Sequence, residues 1–143
     1  MAQTQPDTPE PPVLVSIGPT PYTCTVTAGG HDLTADEPED LGGRDEGPGP
    51  YPLLLASLGT CKAITCSMYA GRKGWKLEAV HLALTHHRDG PPGKSPERIE
   101  VEIQFEGELT GEQREKLAEI ADRCPVHRTI TGELTVATTH VTE

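Results

Sequence analysis

The chain of 143 residues sets 12 basic against 22 acidic side chains, a net charge of −10 that repels phosphate backbones and anionic lipid and argues against nucleic acid or a membrane as partner. Hydrophobic content is 34% with one Phe and one Trp, so the core has to be built from Leu, Val, Ile and Ala, and a homodimer is the expected source of further burial. No run of eighteen apolar residues is present, and Met1 to Pro12 lack the basic start and apolar stretch of a signal peptide, so the expected location is the cytoplasm. Four cysteines without a CxxC spacing read as free thiols, metal ligands or catalysts rather than as a disulfide scaffold.

Residues 1–12 are polar and proline-rich, a disordered lead by composition, and 13–143 are expected to form a single domain. The pattern turns β from Val13. Tyr22, Cys24, Val26 and Ala28 alternate with threonines, His31 to Ala35 makes a third strand, and Gly-Pro-Thr-Pro and Gly-Gly breaks mark the hairpin turns. A loop rich in Gly, Pro, Asp and Glu follows from Asp36 to Gly49, long enough to point to function or disorder. Pro50 and Pro52 suit the first turn of a helix running to about Lys73. Leu53, Leu54, Leu55, Leu58, Ile64 and Met68 lie on most of its sides, which predicts a central, buried helix.

A strand is expected over Leu77 to His87, with Val80, Leu82 and Leu84 on one face. Across a proline-glycine turn, Ile99, Val101, Ile103 and Phe105 alternate with polar residues from Glu97 to Glu106, the pattern of a half-buried hairpin. Thr110 and Gln113 have the spacing of a capping box opening a second helix, whose stripe is Leu117, Ile120, Ala121 and Cys124. Glu133 to His140 alternates as a last strand. The order β, β, β, long helix, β, β, helix, β is an α+β plan.

Three stretches carry more specific information: GPGPYPLLLASLGTC ending at Cys61, MYAGRKGW from Met68, and IADRCPVHRT from Ile120. In these the chain resembles the OsmC/Ohr family of thiol peroxidases, in particular its OsmC-like branch, and the likeness runs from about His31 to the C-terminus. The resemblance implies an OsmC-like fold, with antiparallel sheets around a long central helix and a shorter second helix, and an intimate dimer with the active site at the subunit interface. It also implies a reaction that reduces organic hydroperoxides to alcohols, with Cys61 attacking and Cys124 resolving by disulfide. A lipoyl-type dithiol would be the reductant, and neither a cofactor nor a metal would be needed.

Local physics adds its own readings. Pro125 disfavours a helical Cys124 and suits the first position of a new helix, so Cys124 is expected as an N-cap facing free amides, which favours its thiolate. Cys61 lies about three turns inside its own helix, so its activation has to come from elsewhere in the fold. Cys66, about 140° around the helix from Cys61, and Cys24 on a strand are read as core.

The sequence departs from the family at the carboxylate that fixes an activating arginine, because Tyr51 and Pro52 occupy the candidate positions and no arginine precedes Arg44. Arg44 with Glu46, or Arg128, are the candidate replacements, each to be weighed against an ordinary solvated charge. His127, three residues past Cys124, is either a site residue or a structural histidine. Two further readings stand beside the peroxidase: a thiol sensor or stress-binding protein without efficient turnover, and a metal site built from Cys124, His127 and Cys61.

Overall fold

The structure, a computed structural model, describes residues 9–142. The expected lead at 1–12 thus falls mostly outside the described residues. The chain packs as two compact units, one ending at Ala56 and the other beginning at Ser57.

In the first unit three strands, β1 (Leu14–Ile17), β2 (Cys24–Ala28) and β3 (His31–Ala35), form an antiparallel meander in the order β1-β2-β3. Register is fixed by pairs such as Val15 with Val26 and Val26 with Leu33. Cys24, read as core, is half-buried, and its thiol donates to the Tyr22 carbonyl at 3.6 Å. The loop after β3 is held by one carboxylate. Asp36 is 2% exposed and accepts hydrogen bonds from the Thr23 hydroxyl at 2.9 Å and from the backbone amides of Tyr22, Glu37, Arg44 and Glu46. A short 3-10 turn (Glu39–Leu41) forms inside it. Side chains would not fit at two of its glycines: a Cβ on Gly43 would stand 2.0 Å from the Glu37 carbonyl oxygen and one on Gly47 2.1 Å from that of Thr34.

Helix α1 (Pro50–Lys73) has its expected bounds and ends at Gly74, whose φ of +69° is the left-handed stop that glycine tolerates. Its burial differs from expectation. Of the six residues predicted to surround it, only Leu58 is buried, while Leu54, Ile64 and Met68 are 40–49% exposed in the single chain. The buried face is Leu58, Gly59, Lys62, Thr65, Cys66 and Ala70. By length and mean hydropathy (1.3) α1 has the makings of a membrane span, but this inner face packs on its own protein.

That protein is a hairpin and two helices. Strands β4 (Lys76–Arg88) and β5 (Glu97–Glu108) pair antiparallel over their whole length, with Leu82 opposite Ile103 and Leu84 opposite Val101. Alternation places Val80, Leu82, Leu84, Ile103 and Phe105 on one face, as the sequence predicts. Gly59 lets α1 approach: a Cβ there would lie 2.8 Å from Leu84 Cδ1.

Helix α2 (Gly111–Ala121) opens with the predicted capping box, Thr110 Oγ1 accepting from the Gln113 amide and the Gln113 side chain from the Thr110 amide. Arg114 ties it to β5 by donating to the carbonyls of Phe105 and Gly107. Cys66, Ala70, Phe105, Leu117 and Ala121 form the core, walled by Tyr69, Trp75, Leu77, Val80 and Ile103. Tyr69 and Trp75 meet edge to face at 5.5 Å.

A short α3 (Pro125–Thr131) follows directly. The last predicted strand does not form: Glu133 to Thr142 carry no regular structure, with Leu134 60%, Val136 84% and Val141 81% exposed. Period-2 alternation assigns faces, but a strand exists only through its ladder partner, and this segment joins neither sheet. Two antiparallel sheets and three helices make the α+β class as expected.

Candidate active site

The second unit brings together residues from three elements. Cys61 comes from the middle of α1, and Cys124 from the tight turn between α2 and α3. None of the four cysteines is in a disulfide. Cys61 is half-buried and Cys124 has no exposure, and the two thiols are close enough for each to influence the other's charge.

Cys124 takes its place through local sequence. Its φ and ψ of −64° and 145° are extended, as a residue before proline prefers, and Pro125 starts α3. The sulfur then acts as the helix cap, accepting from the His127 amide at 3.3 Å. The cap is as predicted, but its consequence is not. Burial pushes the Cys124 thiol above its ordinary range, outweighing the His127 amide, and the neighbouring Cys61 adds to the rise.

One residue that sequence reasoning passed over sits at the centre. Lys62, next to Cys61, is 1% exposed, and its ammonium donates to the Ala121 carbonyl at 3.1 Å, to Asp122 Oδ1 at 3.2 Å and to His127 Nδ1 at 2.9 Å. Three acceptors match the three N–H bonds of a protonated amine. With the ammonium as donor, His127 Nδ1 is the acceptor. The charge of Lys62 pulls the thiols of Cys66 and Cys124 down, against their burial.

A sequence signal for Lys62 existed: it is the only charge in α1 before the last turn, and a charge amid apolar helix has to be paired. Cys66 is core as read, without exposure, donating to the Leu117 carbonyl at 3.3 Å. Yet it is close enough to Cys124 to feel its charge, and burial raises it to about 11.

The other predicted residues divide. His127 is in the site, bonded to both Lys62 and Cys124. Arg128 caps nothing with its side chain; it is an exposed residue whose backbone amide bonds the Cys124 carbonyl at 3.2 Å. Arg44 belongs to the first unit, where its guanidinium pairs with Glu46 at 3.4 Å, the two 58% and 47% exposed. A metal bound by Cys61, Cys124 and His127 meets a competitor, because the Lys62 ammonium already occupies His127 Nδ1. Among the described residues no group of three or more His, Cys, Asp or Glu is disposed to hold a metal ion.

A buried thiol coupled to a more accessible one, with a cation and a helix cap beside it, is suited to thiol–disulfide chemistry. The profile of OsmC-like proteins matches residues 43–139. The chain belongs to the OsmC-like protein family. Solved structures agree on the fold. An OsmC-like protein from Mycoplasma pneumoniae is 21% identical with a TM-score of 0.73, covering 88% of this chain and 89% of that one.

An organic hydroperoxide resistance protein OsmC from Legionella pneumophila is 21% identical with a TM-score of 0.66, over 89% and 94% of the two chains. One from Elizabethkingia anophelis is 18% identical with a TM-score of 0.64, over 85% and 88%. No curated protein sequence matches. Membership in this family points to a stress-response or peroxide-resistance role.

Proposed function

We propose that this OsmC-like protein is a cytoplasmic, cysteine-dependent peroxidase that reduces organic hydroperoxides to alcohols. The observation that carries the reading is the pair itself: a half-buried Cys61 coupled to a fully buried Cys124.

The Cys61 thiolate attacks one peroxide oxygen. The O–O bond breaks, the sulfur becomes a sulfenic acid, and the alkoxide takes a proton to leave as alcohol. Cys124, as thiolate, then attacks the Cys61 sulfur. The S–S bond forms, the S–O bond breaks, and hydroxide leaves as water after taking up a proton. A lipoyl-type dithiol reduces the disulfide by exchange, and no bound cofactor enters. Burial of Cys124 restricts solvent oxidants to Cys61, which supports this division of roles.

The working unit in this proposal is a homodimer. The apolar residues exposed along α1 and the unpaired, apolar segment Leu134 to Val141 give a second copy surface to cover. The rival reading, a thiol sensor without efficient turnover, draws support from the missing carboxylate at Tyr51 and Pro52 and from the raised Cys124 thiol.

One experiment separates them. Reduced protein is oxidised in stopped flow by cumene hydroperoxide and by hydrogen peroxide, thiols are counted, and turnover is followed with a dithiol. Fast loss of two thiols per chain with sustained turnover supports the peroxidase. Oxidation no faster than that of a free thiol defeats it.

A further inference from the structure

We propose that Lys62 is the positioning residue of the thiol pair: a buried ammonium, next in sequence to Cys61, that fastens the turn bearing Cys124 and governs closure of Cys124 onto oxidised Cys61. The closure step rests on the peroxidase reading; the effect of Lys62 on Cys124 does not.

The geometry gives this lysine two tasks at once. Its three bonds fall on both sides of Cys124, on Ala121 and Asp122 before it and on His127 after it. The partners lie 59, 60 and 65 residues from Lys62 in the chain, so a single side chain from the Cys61 helix clamps the Cys124 turn from within. His127, held by its ring, keeps its backbone amide on the Cys124 sulfur. Displacing the ammonium therefore loosens the cap as well as the turn.

The second task is electrostatic. Closure requires Cys124 as an anion at a position with no solvent exposure, where a compensating charge acts with little screening. The titratable and charged groups that face this sulfur are Cys61, Lys62 and Cys66 from α1 and His127 from its own segment, and Asp122 acts on the set through its bond to Lys62 and its charge near Cys66. His127 meets the ammonium through Nδ1, and Asp122, with a side chain 74% exposed, offers it a carboxylate oxygen. Lys62 is thus the cation of the set. Lysine suits the place because it is a compact charge with three donors, where a planar guanidinium would need a wider cavity.

Lys62→Met keeps the apolar stem and removes the charge, and Asp122→Asn removes the opposing anion from an exposed position. A structural prop predicts the same sign for both; the electrostatic role predicts opposite signs. With cumene hydroperoxide, quenched samples are scored by mass spectrometry for dimedone-trapped sulfenic acid and for disulfide. In Lys62→Met, Cys61 should still oxidise while closure at neutral pH slows about tenfold or more and its pH profile moves up. In Asp122→Asn the profile should move down.

Independently of any peroxide, thiolate absorbance is titrated in a Cys24→Ser/Cys61→Ser background, where Lys62→Met should raise the Cys124 midpoint and Asp122→Asn lower it. If the parent fails to consume peroxide while these midpoints move, the function falls and the role of Lys62 stands. Unmoved midpoints and closure profiles in folded variants overturn the inference. Should Lys62→Met fail to fold, an unmoved Asp122→Asn titration overturns it alone.

Discussion

Among the described residues, each of the two units buries one charge almost completely, and they do so by opposite means. Asp36 is surrounded by donors from its own neighbourhood, four backbone amides and a hydroxyl, all within 14 residues of it in the chain. Lys62 is met by three different chemical groups, a carbonyl, a carboxylate and an imidazole, from about sixty residues away. The carboxylate is saturated by local backbone amides and one hydroxyl, so it holds a loop. The ammonium shares its partners with a pair of thiols, so whatever moves the chemistry moves through it. A buried charge served by local backbone marks architecture; one served by distant side chains beside nucleophiles marks a site.

The largest effect that tests this contrast is loss of the chemistry without loss of the fold. Cys61→Ser should abolish peroxide consumption while leaving thermal stability and circular dichroism close to the parent, since the change is nearly isosteric at a half-buried position. Cys124→Ser should oxidise once and stall, with sulfenic or sulfinic acid at Cys61 in the mass spectrum. An unmodified Cys61 in that variant would reverse the order of attack.

The converse holds for Asp36. Its network should control stability and leave the rate of Cys61 oxidation alone. Asp36→Asn turns an amide NH2 toward donors that now face a carboxylate oxygen, so hydrogen exchange at the amides of Glu37, Arg44 and Glu46 should accelerate on the order of tenfold or more. Acidity sharpens the test. Burial raises the Asp36 carboxyl, but the bonds from Thr23, Glu37, Glu46 and Arg44 outweigh it and hold the group below its ordinary 3.8. A carboxyl lowered on folding contributes stability that is present above pH 3.8 and fades as pH falls toward the folded value. The parent should therefore lose loop protection in that acid window, and Asp36→Asn should lack this component.

How far these features were legible follows from how local they are. The capping box at Thr110, the cap at Cys124 before Pro125 and the alternation of β5 are set by neighbours in sequence, and all three appear as read. The contact between Cys61 and Cys124 spans the chain and was available only through resemblance to a family. Lys62 and Asp36 escaped notice because Lys and Asp are ordinarily exposed: the partners of Lys62 lie about sixty residues away, and those of Asp36 are mostly backbone amides, which carry no signature in the sequence. Glu133 to His140 misled for the complementary reason: its alternation is local, but the ladder that makes a strand is not.

A smaller effect is expected at high pH. Cys66 is pushed from 9.0 to about 11, mainly by burial, so it stays a thiol in the folded chain where the unfolded chain would ionise. Stability tied to it is complete below pH 9 and declines as pH rises toward about 11, by at most roughly 2–3 kcal/mol. Cys66→Ala should lower stability at neutral pH by about 1 kcal/mol for the lost volume and flatten this alkaline decline. Chemical denaturation at pH 7.5 and at pH 10 measures both; an equal slope in parent and variant would show that Cys66 ionises freely and is not sealed beside Cys124.

The smallest effect belongs to Arg44, and it decides which cation serves the thiols. Its guanidinium is 58% exposed and already paired with Glu46, so solvent and salt screen most of what it offers. Arg44→Ala should change stability by no more than about 1 kcal/mol and leave the rate of Cys61 oxidation within about twofold, because an exposed ion pair contributes little and its loss strands no buried group. The rate should also be insensitive to added salt, in keeping with a buried rather than an exposed activating charge. A tenfold or greater slowing, equivalent to about 1.4 kcal/mol of transition-state stabilisation, would return the activating role to the loop. Lys62 would then serve Cys124 alone, and the attacking thiol would take its cation from the loop.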